Sequence, residues 1–94
     1  MDDLKMLTRE EVAELLHVHV NTISMLREIG IINGIKIGKN YMFSQKVIRT
    51  FQEDYIGLDV SNKSNAIISK QTVEKRKQDD INRMNYHNAI VGAM

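Results

Sequence analysis

The sequence predicts a mainly α-helical domain carrying a small β-hairpin. Three observations in the stretch from Met6 to Phe51 lead to this. Two short segments with helical apolar spacing are separated by only three residues, two alternating runs then flank a glycine, and a third amphipathic segment follows.

Thr8 followed three residues later by Glu11 is a capping box, in which the Thr hydroxyl accepts from the Glu11 N–H and the carboxylate reaches back. A helix therefore starts here. Val12, Leu15 and Leu16 give it an apolar face, Ala13 admits a close neighbour, Glu10, Glu11 and Glu14 stay in water, and the helix stops near His17. A second stripe, Val20, Ile23 and Leu26, has the same spacing, while Asn21, Ser24, Met25 and Glu28 point away from it. Gly30 supplies the left-handed residue that ends a helix. The short connection makes the two helices cross on a tight turn, with Val18 plugging the corner.

Ile35 and Ile37 flank Lys36, and Tyr41 and Phe43 flank Met42, so both runs alternate as strands do. Gly38-Lys39-Asn40 between them tolerates the positive φ of a hairpin, with Lys39 and Asn40 at the tip. Ser44 caps a third helix whose inward residues are Val47, Ile48, Phe51 and Tyr55. A lone hairpin is marginal in water, so this helix holds the wing against the first two. The expected architecture is a winged helix-turn-helix of three helices plus a two-stranded wing in residues 1–56.

Residues 57–94 read as a polar linker and tail. Asp59 to Ser64 has no period, and a looser helical pattern runs from about Ser69 to Ile90 on sparse apolar positions, Val73, Ile81, Met84 and Ile90. Such a helix buries little by itself. A frayed tail and a segment ordered by a partner chain or by DNA carry equal weight. Lys75-Arg76-Lys77 and Arg83 either extend a DNA footprint or form a solvated basic turn.

Ninety-four residues suffice for one small core. Cysteine is absent, which excludes disulfides, thiolate nucleophiles and Cys-based zinc sites and suits a reducing cytoplasm. No apolar run of membrane-spanning length and no leader pattern is visible, so a soluble protein in a bacterial or phage-infected cell is expected, nucleoid-associated when bound. The net charge of +1 does not advertise nucleic acid, but the distribution is informative. Acids gather at Asp2, Asp3, Glu10, Glu11 and Glu14, whereas Lys36, Lys39, Lys46 and Arg49 follow the turn and hairpin.

These residues resemble the excisionase-type helix-turn-helix family, small winged relatives of the MerR DNA-binding domain. The resemblance is carried by Leu7-Thr8 with Glu11-Val12-Ala13 and Leu15-Leu16, by Val18, Asn21-Thr22-Ile23, Leu26 and Gly30, and by Ile35 to Lys39 with Tyr41-Met42-Phe43. It covers about half of the chain. It implies a sequence-directed binder of double-stranded DNA, serving as a recombination directionality factor of a phage or mobile element, a small transcription regulator, or a recognition module of a larger assembly. The chain departs from the family at Ser24 and Met25 on the second helix and at Asn40 and Met42 in the wing, where basic or aromatic residues are common. Every phosphate left without a cation lowers the salt dependence of binding by nearly one unit.

In the functional reading His19, Asn21, Thr22, Ser24 and Met25 lie on the helix that enters the major groove. Asn can bond bidentately to adenine, Thr can donate or accept, and a methyl group can touch thymine. Arg27 sits at a phosphate, fixing register. Lys36, Lys39 and Asn40 on the wing meet the backbone or minor groove. Tyr41 and Phe43 are core residues rather than platforms for bases. His17 and His19 lack the further ligands a metal needs, and Glu10, Glu11 and Glu14 have no cleft or nucleophile beside them, so no metal, cofactor or enzymatic activity is expected. One module buries little surface, which calls for self-association on DNA or a homodimer, with a recombinase as a further partner. The competing reading is a protein-interaction module on the same scaffold with eroded DNA charge, docking through Met25, Ile31 and Ile32 or through the tail.

Overall fold

The computed structural model describes residues 4–93, with their surroundings described to Asn82. Seven elements follow in order: β1 Leu7–Thr8, α1 Arg9–Leu16, α2 Val20–Ile29, β2 Ile35–Ile37, β3 Asn40–Phe43, α3 Gln45–Asp54 and α4 Lys63–Ala93. The expected winged helix-turn-helix is present. Among the described residues no helix is long and apolar enough to cross a membrane.

The capping box forms in full: Glu11 N–H donates to Thr8 Oγ1 and Thr8 N–H to Glu11 Oε1, both at 3.0 Å. The carboxyl of Glu11 is held below its ordinary range, first by the Thr8 backbone N–H, with Lys5 contributing less. Helix α1 ends at His17, whose left-handed φ of 57° lets Val18 N–H return to the Ala13 carbonyl. The short α1 turns Val12, Ala13 and, in part, Leu16 onto α2. Leu15, expected on that face, is 55% exposed, because a face made by Val12, Ala13 and Leu16 leaves it about a quarter-turn from the centre and nearly opposite Ala13. Val18 does not plug the corner either and remains 39% exposed.

The wing gains a strand that short-range pattern did not reveal. Leu7 pairs with Phe43 and Thr8 with Met42, so β1 joins β3 and the sheet order is β1-β3-β2. Between β2 and β3 the turn is two residues, Gly38-Lys39, since Ile37 pairs with Asn40. Asn40 therefore opens a strand and only Lys39 shares the tip with glycine, whose φ is +66°. Alternation in β2 buries neither Ile35 nor Ile37, because nothing covers that edge strand among the described residues. The β3 side does close: Phe43 is buried and Tyr41 half-buried.

The core joins Val12 and Ala13 of α1, Ile23 and Leu26 of α2, Ile32, Phe43, Ile48 of α3 and Ala66 of α4. Ser44 caps α3 by accepting from Val47 N–H at 3.1 Å, and Phe51 and Tyr55 stack at 5.2 Å. Ile32 is fully buried, which removes it from the docking surface that the interaction-module reading requires. Ile31 and Met25 are half-buried against the same core.

Helix α4 begins at Lys63, six residues before the apolar pattern suggested. Asp59 arranges the approach: its Oδ1 accepts from Ser61 N–H and hydroxyl at 2.8 and 2.6 Å, and its Oδ2 from the Asn65 amide at 3.0 Å. Asn62 Oδ1 accepts the Asn65 N–H and so caps the first turn. Ala66, Ser69 and Val73 are buried at helical spacing. Lys70 Nζ donates to the Ile29 carbonyl at 2.9 Å, satisfying the end of α2, and Lys77 pairs with Asp54 of α3 at 2.8 Å. From Glu74 to Asn82 every residue is exposed. Arg83, Met84 and Ile90 lie outside the residues whose surroundings are described.

Candidate nucleic-acid interface

Helix α2 turns Ile23 and Leu26 inward, so its helical period places Asn21, Ser24 and Glu28 on the opposite side. Asn21 and Glu28 are exposed at the two ends of this face, with Ser24 half-buried between them. An Asn side chain on such a face has both donor and acceptor to offer a base edge, and a Glu carboxylate can accept from cytosine. Glu28 is a second candidate that its sequence context did not mark; its acidity also lowers the net attraction of this face for phosphate.

The other residues assigned to this helix stand in different settings. His19 is its N-cap, with ring Nδ1 accepting from Asn21 N–H at 3.1 Å, so its imidazole orients the first turn. Thr22 lies on the flank, lining an apolar recess with Leu16, Val18, Leu58 and Val60. Met25, expected to stand out for a thymine methyl, is half-buried and packs in part against the core.

Arg27, expected at a phosphate, has its guanidinium laid over the Tyr41 ring at 3.8 Å from the centroid. Tyr41 is thus a platform, though for a protein cation. This stacking ties the wing strand β3 to α2 and fixes the angle between the two elements that would straddle a groove. On the wing, Lys36, Lys39 and Asn40 are all exposed, with Lys39 at the turn and Lys36 opposite Tyr41. The structure therefore brings Asn21, Ser24 and Glu28 onto one face with Lys39 of the wing beside Ser24, while His19 caps the helix, Thr22 lies on its flank and Met25 packs in part on the core.

Between the start of α1, α2 and β3 runs a recess lined by Arg9, Glu10, Ser24, Arg27, Lys39 and Asn40, among others. Arg9 was not singled out by its sequence context. It crosses from α1 so that Nη1 donates to Ser24 Oγ at 3.0 Å, while Nη2 meets Glu10 Oε1 at 3.2 Å. The carboxyl of Glu10 is held low first by its own backbone N–H and then by Arg9. Only the fold brings residues 9 and 24 together, so no local motif could have marked them. Among the described residues no group of three or more His, Asp or Glu is placed to hold a metal ion.

A family model described as a helix-turn-helix domain, representing excisionase-like DNA-binding domains, matches residues 6–55, just over half of the chain. No curated protein and no solved structure shows a significant match.

Proposed function

The chain belongs to this helix-turn-helix domain family, and from that premise we propose that it binds specific duplex DNA sites through α2 and the wing. The observation that carries this reading is the exposed Asn21 on the outer face of α2, a helix whose Ser24 and Arg27 share a recess with the exposed Lys39 of the wing. Asn21 reads a base edge in the major groove, and Lys39 meets the backbone alongside. The protein works in several copies, as a homodimer or side by side on repeats, because one such module buries too little surface for tight binding. The task is that of an excisionase-like architectural factor or small transcription regulator of a phage or mobile element, with a recombinase as partner in the first case. Bending of the DNA fits either.

The test is a fluorescence-anisotropy titration against duplexes tiled across the DNA flanking the protein's own gene, with a scrambled duplex as control, at about 50 and 200 mM salt. One tile should be preferred. Asn21→Ala should abolish the preference, and Lys39→Ala should weaken binding to all tiles while lowering the salt slope by about one. Direct repeats in the preferred tile point to architectural assembly, and a palindrome over the promoter to regulation. Absence of binding at the lower salt overturns the reading.

A further inference from the structure

Helix α2 carries one Lys or Arg, Arg27, and that cation is laid against Tyr41. The rest of its outer face is neutral at Asn21 and Ser24 and acidic at Glu28. Electrostatics of this kind are poor for a surface that must approach a polyanion. The missing charge arrives from the neighbouring helix. Arg9 leaves the first turn of α1 and anchors on the small Ser24 side chain, placing a guanidinium on the surface of α2 itself. The recess it enters holds three cations, Arg9, Arg27 and Lys39, against the single carboxylate of Glu10. In a chain whose net charge is only +1, this is a local concentration of positive charge at the junction of helix and wing.

We propose that this recess seats a DNA backbone phosphate, with Arg9 and Lys39 as its two jaws, and that Glu10 is the counter-ion which the phosphate replaces. The proposal rests on the duplex-binding reading and extends it to Arg9, Glu10 and Ser24. Arg9 has five N–H donors, and the bonds to Ser24 and Glu10 engage only two. The pair with Glu10 is exposed, 46% for Arg9 and 66% for Glu10, and such pairs are weak. A phosphate offers the planar guanidinium a bidentate, more highly charged acceptor. Ser24 is a positioning residue: its hydroxyl holds the guanidinium at the groove without itself supplying charge.

The test uses the full chain with the preferred and scrambled duplexes of the same titration. Arg9→Gln should weaken binding several-fold on both, and should lower the slope of log K against log salt by about 0.9. Glu10→Gln should tighten binding in the parent chain, and that gain should largely vanish when Arg9→Gln is also present. A gain in affinity cannot come from a damaged fold, so this arm stays decisive even if Arg9→Gln lowers stability. If Lys39→Ala lowers the slope but Arg9→Gln does not, the phosphate seat is wrong while duplex binding stands. If Arg9→Gln changes only the preference among tiles and leaves the slope intact, Arg9 reads a base and the assignment fails. Equal gains from Glu10→Gln in both backgrounds overturn the counter-ion role, and absence of binding by the parent chain overturns both readings together.

Discussion

The unit from β1 to α3 closes on large side chains: Phe43, Ile23, Leu26, Ile32 and Ile48 meet in one core. Helix α4 meets that unit differently, through Ala66, Ser69 and Val73 and through Lys70 on the Ile29 carbonyl, while Ser69 also donates to the Asp59 carbonyl of the connecting turn. Apolar volume holds the first region, and close approach with polar anchoring holds the second. The contrast implies unequal local stability, because sparse apolar packing and exposed hydrogen bonds mark the segments that open first. It also separates duties: the first region bears the candidate DNA face, while α4 steadies the end of α2 through Lys70.

The largest effect is expected at the centre of the first region. Phe43→Ala removes the largest fully buried side chain and should cost about 3–5 kcal/mol, comparable with the whole stability of a small domain. Thermal unfolding followed by circular dichroism should show the domain largely unfolded at room temperature. A melting point close to the parent's would mean that the core does not depend on this ring.

A smaller, more selective effect is expected from Ala66→Leu. Ala66 is fully buried in the shared core, so a longer side chain overpacks the seat of α4 and costs about 1–3 kcal/mol. Amide hydrogen exchange should show protection falling along α4 from Ala66 to Val73 while β3 and α3 keep theirs. Equal loss in both regions would make them one cooperative unit and erase the contrast.

The same contrast explains what could be read in advance. The capping box, the stripe through Ile23 and Leu26, the Gly30 stop and the Ser44 cap are local signals, each complete within about four residues, and each lies where expected. Strand β1 escaped because two residues have no period, and it is defined only by pairing with residues far along the chain. The start of α4 escaped because small residues dock it and its anchors lie 10 and 41 residues away. At the candidate site the outward position of Asn21 followed from helical spacing alone. The capping role of His19 is a local contact with Asn21 that its residue type did not advertise, whereas the seating of Met25 and the placement of Arg27 on Tyr41 depended on what else the fold brings alongside. Arg9 escaped for the same reason: its partner, Ser24, belongs to another helix.

The smallest effect sharpens the comparison through pH, because each region has a capping carboxylate held below its ordinary range. Glu11 serves α1, and Asp59 serves the approach to α4, where the Ser61 hydroxyl is the main cause, followed by the Ser61 N–H and then the Asn65 amide. In both cases the folded state prefers the ionised form, so the contribution is complete above the unfolded pKa, near 4, and disappears as pH falls through the lowered folded value. Both groups are solvent-exposed, so neither threatens the global fold. Ser69, however, donates to the Asp59 carbonyl, so loosening this turn also frees a buried anchor of α4. Between about pH 5 and pH 3, the protection of Ala66 and Ser69, taken relative to the intrinsic exchange rate at each pH, should fall before that of Phe43 does. Asp59→Asn should flatten that response, since an amide keeps an acceptor oxygen but has no charge to lose. An unchanged acid response in Asp59→Asn would move the trigger away from this turn.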